Sequence, residues 1–218
     1  MFSIVILVHL YGCLAMYNRH NCVWMEIIMS NILRTKCVIV GNCTVGKTAL
    51  SQTFLSDGRQ FSKNYNMTFG VDLKVKTLSI PDSNDTVELF IYDSSGQDVH
   101  NNCLSKYWHE PNILMAVFDV TSELSLDSVS HWVALVRSTI PQKAASTTPG
   151  VLFGNKTDLV DRRVVSPKTG STMAEKLGLM YFEGSAKENQ GIEEPFFLLA
   201  HEWHKLYSEK KTAFDLIA

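Results

Sequence analysis

A chain of 218 residues, 45% hydrophobic and 19% charged, carries enough apolar material for one sizeable core and has an ordinary globular composition. Its net charge of −2, with basic residues scattered along the chain, excludes a broad cationic face, so no nucleic acid is expected as a partner. The five cysteines are odd in number and form no C-x-x-C pair, which argues against a disulfide framework or zinc site and for reduced thiols in the cytoplasm.

The first stretch, "FSIVILVHLYGCLAMY" (Phe2–Tyr17), has no ionic side chain. It falls short of the roughly 20 apolar residues that span a bilayer and lacks the positive segment that opens a secretory signal. A dispensable upstream segment, a docked cytosolic extension and a membrane anchor all remain open for residues 1–33. The folded domain is expected over 34–210, with a tail at 211–218.

"CVIV" (Cys37–Val40) is a β-branched run without polar alternation, as a strand buried on both faces should be. A glycine loop follows, and "GKTALSQTFLSDG" then spaces Ala49, Leu50, Phe54 and Leu55 helically, with Gly58 placed to stop the helix. "GVDLKVKTLSI" (Gly70–Ile80) alternates at Val71, Leu73 and Val75 like a half-exposed edge strand. The turn-rich "PDSND" joins it to "VELFIYD" (Val87–Asp93), which predicts a hairpin.

Leu104–Trp108 is helix-like, and "ILMAVFDV" (Ile113–Val120) is a fully apolar strand. Leu126–Ile140 puts Val129, Trp132, Val133, Val136 and Ile140 on one helical face. "GVLFGN" (Gly150–Asn155), a short helix at Thr172–Leu177, the strand "LMYFEG" (Leu179–Gly184) and a long helix over Ile192–Ser208 complete the pattern. Pro195 falls in the first turn of that last helix, where a missing N–H is tolerated. This alternation predicts an α/β, doubly wound, mainly parallel six-stranded sheet flanked by helices, with ligands beyond the carboxyl ends of the strands.

Three motifs stand at such strand ends. Gly41-x-x-x-x-Gly46-Lys47-Thr48 fits a phosphate loop. Its glycines let backbone N–H groups point inward, and the following helix adds its positive end. The expected phosphate-binding set is Gly41, Thr44, Val45, Gly46, Lys47, Thr48 and Ala49. Lys47 reaches the β- and γ-phosphates, and the Thr48 hydroxyl ligates Mg²⁺. "DSSGQ" places Asp93 to hold Mg²⁺ through water, Gly96 to offer its N–H to the γ-phosphate, and Gln97 as the catalytic residue that orients the attacking water. Asn155-Lys156-Thr157-Asp158 selects the base. A carboxylate at Asp158 accepts from the ring N–H and amine of guanine, a pair adenine lacks, and such a site rejects the wrong base by about 10⁴ or more.

In this order the motifs resemble the Ras-superfamily small GTPases, and "GVDLKVKTLSI" is similar to the Rab branch. The likeness covers about residues 35 to 210 and implies the P-loop small G domain fold, with GTP or GDP as ligand and Mg²⁺ as cofactor. It also implies that Thr68 closes on the metal and the γ-phosphate, that Lys156 covers the base plane, and that Ser185, Ala186 and Lys187 pack the guanine from the far side.

Within that branch, "GKTAL", "GVDLKVKT", "VELFIYDSSG", "GNKTDLVDRR" and the ending "AFDLIA", which has no lipidation cysteine, resemble the Rab-like GTPases of intraflagellar transport. That resemblance implies a protein of the cytoplasm and cilium, without a lipid anchor. Its partners would be a small β-sandwich subunit, met partly through the C-terminal region, and the wider transport complex. Cys43 and Thr44 stand where Ras proteins have two glycines, so hydrolysis is expected to be slow.

Three functions compete: a cycling switch, a structural subunit that holds nucleotide without cycling, and an ATP-dependent kinase, which Asn155 and Asp158 disfavour. A Rab-type vesicle-trafficking role outside cilia is a variant of the first. His201-x-x-His204 shares one helical face but has no third ligand near, so a solvated or packed pair is the expectation. Trp132 and Trp203 sit in apolar stripes and are assigned to the core. "SEKK" (Ser208–Lys211) is expected as a charged last helical turn. Phe214, Leu216 and Ile217 should then dock on the domain or on a partner.

Overall fold

The computed structural model describes residues 8–10, 13–18, 21–26, 31–61, 66–97, 101–145 and 147–216. The parts of the N-terminal run at 2–7 and 11–12, and Ile217, lie outside these. β1 (Val8–Leu10), β2 (Cys13–Asn18) and β3 (Asn21–Glu26) form a small antiparallel sheet of their own. No helix among the described residues is long and apolar enough to cross a membrane.

The main domain runs β4 (Asn31–Val40), α1 (Lys47–Leu55), β5 (Val71–Ser79), β6 (Asp85–Ser94), α2 (Asn101–Trp108), β7 (Ile113–Asp119), α3 (Glu123–Asp127), α4 (Val129–Arg137), α5 (Gln142–Ala145), β8 (Gly150–Asn155), α6 (Pro167–Leu177), β9 (Met180–Glu183) and α7 (Glu193–Asp215). Six strands form one sheet in the order β5-β6-β4-β7-β8-β9, and β5 alone in it runs antiparallel to its neighbour. This is the predicted α/β sheet with its one hairpin.

Alternation along β4 divides the core into two layers, because successive side chains of a strand point to opposite faces. Cys37 and Ile39 join Leu50, Phe54, Phe196 and Leu199 under α1 and α7. Val38 and Val40 join Trp108, Trp132 and Val136 on the opposite face. Phe54 stacks on Phe196 with centroids 3.9 Å apart, an aromatic pair worth about 0.5–1.5 kcal/mol beyond its burial, and fixes α1 against α7. Burial pushes the free Cys37 thiol up to about 12, so it stays a protonated core group.

Several boundaries and facings differ from the sequence expectation. β4 begins at Asn31 rather than Cys37; its first residues are polar or exposed, and Asn31 and Arg34 are held by Asp85 and Glu88 of β6. The predicted helix over Leu126–Ile140 is two helices that meet at Ser128, whose hydroxyl donates to the Leu124 carbonyl at 2.8 Å. α6 starts at Pro167, five residues earlier than Thr172; Ser166 caps it by accepting the Thr169 N–H at 3.1 Å. α7 continues to Asp215 because no Gly or Pro interrupts residues 208–215, so "SEKK" is not its last turn. On β5 two of the apolar residues face outward: Leu73 and Val75 are 51% and 46% exposed, while Lys74 and Lys76 turn inward on the same face as buried Leu78.

Candidate functional site

The loop between β4 and α1 closes onto the turn after β8, and Gly46 makes that possible. Its φ is 99°, and a Cβ there would lie 2.3 Å from Asn155 Nδ2. Asn155 is buried and spends its amide on the protein. Nδ2 donates to the Val45 carbonyl at 2.9 Å, while Oδ1 accepts the N–H groups of Lys156 and Ala186 at 2.9 and 3.1 Å. One side chain therefore ties the phosphate loop to both loops expected to hold the base. Thr53 of α1 adds a fourth link, its hydroxyl donating to the Ala186 carbonyl at 2.9 Å.

Lys47 lies folded over its own loop, donating to the Gly41 and Asn42 carbonyls at 2.7 and 2.8 Å. Burial lowers its ammonium to about 8, with Asp93 opposing that shift. Above that pH the lysine is neutral, and an anion must recruit a proton to bind against a charged ammonium. Affinity for GDP should therefore fall by about fivefold between pH 8 and 9 and change little between pH 6.5 and 7.5, as read from equilibrium titrations at constant ionic strength. A flat profile across the whole range would show that Lys47 keeps its charge through about pH 9 or makes no phosphate contact, and Lys47→Ala, which loses GDP affinity only in the first case, separates the two.

The Thr48 and Thr68 hydroxyl oxygens meet at 2.8 Å. Asp93, next to last in β6, pairs with Ile39 of β4 and is fully buried. Its Oδ2 accepts from Lys74 Nζ at 2.8 Å, and its Oδ1 has no hydrogen-bond partner among the described residues. A buried carboxylate oxygen left unpaired is costly unless something binds it. Two converging hydroxyls and one free carboxylate oxygen are hard oxygen donors, and they fit Mg²⁺.

Gly96 lies against the phosphate loop so closely that a Cβ would sit 2.4 Å from the Cys43 nitrogen. Gln97 follows it, with Nε2 donating to the Met67 sulfur at 3.0 Å.

At the other end of the site, Asp158 accepts from the Ser185 hydroxyl at 2.7 Å and from Lys187 Nζ at 3.4 Å. Burial would raise this carboxyl, but Ser185, its own backbone N–H and Lys187 outweigh that and hold it below the usual range. It therefore stands ionised at neutral pH, an acceptor for two adjacent N–H donors. Lys156 pairs with Asp119 at 2.7 Å, which fixes its stem along the same wall.

These groups border one cavity of about 460 Å³, a size suited to a mononucleotide. Of the predicted residues, Thr44, Gly46, Lys47, Thr48, Ala49, Thr68, Gly96, Asn155, Lys156, Asp158, Ala186 and Lys187 line it. Gly41, Val45, Gln97 and Ser185 do not line it but bond to residues that do, and Asp93 acts on the lining through its charge beside Lys47.

Two supporting groups were not foreseen. Asn42 accepts from the Trp132 indole N–H at 2.7 Å and donates to the Ser128 hydroxyl at 3.0 Å, which pins the loop to α4. Lys74 holds Asp93 and also donates to Ser51 at 2.9 Å. Trp132 is in the core as expected, and its buried N–H required an acceptor, though nothing in the sequence pointed to Asn42. The two histidines part company: His204 bonds Asp85 at 2.8 Å, and the His201 side chain is 54% exposed.

The model of the Ras family matches residues 36–205 of this chain. The intraflagellar transport protein 27 homolog of Bos taurus is 49% identical over 185 residues, spanning 85% of this chain and 98% of that protein. Intraflagellar transport protein 27 of Chlamydomonas reinhardtii is 36% identical over 185 residues, with 84% and 90% covered. The Ras-related protein Rab-8B of Bos taurus is 32% identical over 167 residues, with 77% of each chain covered.

Proposed function

The chain belongs to the Ras family, and from that premise we propose that it binds GTP and GDP with Mg²⁺ in the cavity above, hydrolyses GTP slowly, and works as a Rab-like subunit of intraflagellar transport in the cytoplasm and cilium. The observation that carries the transport reading is the 49% identity across 98% of a relative named for that process. The Ras-family match begins at residue 36, which supports a G domain from about 34 and an appended segment before it.

In this reading the loop Gly41–Ala49 wraps the phosphates, Asp158 takes the guanine edge, and Lys156 with Ser185, Ala186 and Lys187 encloses the ring. Thr48 and Thr68 would hold Mg²⁺ directly and Asp93 through water, and the ion would offset the charge that builds between the β- and γ-phosphates. Phe214 and Leu216, 72% and 83% exposed at the end of α7, favour a protein partner at the C-terminal region, for which a small β-sandwich subunit is the candidate.

A second reading is a structural subunit that keeps its nucleotide. Cys43 and Thr44 in the phosphate loop, and a Gln97 amide engaged by Met67, favour it. Denaturing the purified chain and separating the released nucleotides tests the first claim: guanine nucleotide is expected, and adenine nucleotide alone would sink it. Partner capture with GDP and with a non-hydrolysable GTP analogue then separates the readings. A switch captures in one state, and a structural subunit captures equally in both.

A further inference from the structure

We propose that Met67 is a positioning residue for GTP hydrolysis: its thioether holds the Gln97 amide off the attacking water and thereby sets the slow turnover. This rests on the GTPase reading above and adds the residue that governs its rate.

Gln97 Nε2 lies 3.0 Å from Met67 Sδ. A thioether sulfur has no hydrogen to give, so the contact fixes which end of the amide faces it: the NH₂ donates and the carbonyl points away. Met67 lines the cavity and Gln97 does not. The contact also belongs to the closed arrangement of the first segment. Thr68, the next residue, already has its hydroxyl 2.8 Å from that of Thr48, so closure of Thr68 brings the Met67 sulfur with it.

The backbone cannot relieve this. The peptide at Gly96 is pressed on Asn42 and Cys43, and the Gln97 N–H is held by the Ser95 hydroxyl at 3.4 Å. With these restraints on its backbone, Gln97 changes its reach by rotating its side chain, and the Met67 contact biases that choice.

Gln97 does not line the cavity, so its carbonyl must swing inward to meet a water there. In hydrolysis a water oxygen bonds the γ-phosphorus and the bond from that phosphorus to the β–γ bridging oxygen breaks. The electron pair leaves with GDP, and the water proton ends on inorganic phosphate. The glutamine carbonyl serves by accepting a hydrogen bond from that water. A neutral, weak hydrogen bond of the N–H···S kind biases two rotamers by up to about tenfold. Met67→Leu removes the acceptor at nearly constant volume.

The test measures single-turnover hydrolysis and GTP dissociation for the full chain, Met67→Leu, Met67→Ala, Gln97→Leu, and Met67→Leu combined with Gln97→Leu. The expected result is a rate gain of about three- to tenfold in Met67→Leu, a similar gain in Met67→Ala, and dissociation changed by less than about twofold. The combined variant should match Gln97→Leu alone, because Met67 acts through that amide. An unchanged or lower rate in both Met67 variants overturns the inference, as does an equal gain in the Gln97→Leu background. Either result leaves the GTPase reading standing if the chain still holds GTP. A chain that holds no guanine nucleotide overturns both.

Discussion

Asp158→Ala will lower affinity for GDP by about 10²–10⁴-fold while changing affinity for ADP by little. Two charge-assisted hydrogen bonds to a carboxylate are worth about 1.5–3 kcal/mol each, and both disappear in the variant. Adenine has a ring acceptor where guanine has its N–H, so ADP had no such bonds to lose. The loop should keep its shape, since Ser185 retains its contact with the Glu188 N–H at 3.1 Å and Asn155 still holds Val45 and Ala186. Asp158→Asn gives a sharper result. The asparagine carbonyl still accepts from the ring N–H, but its NH₂ faces the guanine amine, donor against donor. Xanthine carries a carbonyl at that position, so the variant should prefer xanthosine diphosphate over GDP by at least about tenfold. Equilibrium titration with the three nucleotides reads both effects. A variant that keeps its preference for guanosine would remove Asp158 as the selecting group.

β7 and β8 were legible because each is an apolar run buried along its whole length, whereas β1–β3 and the polar start of β4 gave no such signal. The motifs were legible because phosphate and guanine chemistry dictates residue types at fixed spacing. What escaped depended on tertiary placement. An edge strand alternates equally well with either set inward, and for β5 the inward set is the lysines. Lys74 finds buried Asp93, and Lys76 lies 5.3 Å from the Phe54 ring. The same face carries Leu78 and Ile80 into the core, and the long stems of the lysines cover apolar surface beside them. Helix ends escaped for a smaller reason. A serine that bonds back to its own helix and a serine that caps the next one are the same residue type in sequence. Ser128 and Ser166 differ only in which backbone group comes within reach.

Replacing Trp132 separates a core role from a role in the site, because the indole serves both. Trp132 is 1% exposed within the cluster under α4, and its N–H is the donor to Asn42 Oδ1. Trp132→Ala should lose about 3–5 kcal/mol of stability through the cavity it leaves. Trp132→Phe keeps most of the volume and should lose about 1–3 kcal/mol, largely through the abandoned acceptor. The consequence for the site follows from Asn42, whose main-chain carbonyl accepts from Lys47 at 2.8 Å. A loop no longer pinned to α4 presents Lys47 less well to phosphate. Saturating GDP stabilises the folded chain in proportion to the logarithm of its affinity, so unfolding measured with and without GDP isolates that effect. If the tether matters, the gain from GDP should shrink by about 1.4 kcal/mol in Trp132→Phe, which corresponds to a tenfold weaker complex. If both measurements fall by the same amount, Trp132 is a core residue alone, and the phosphate loop owes its position to Asn155.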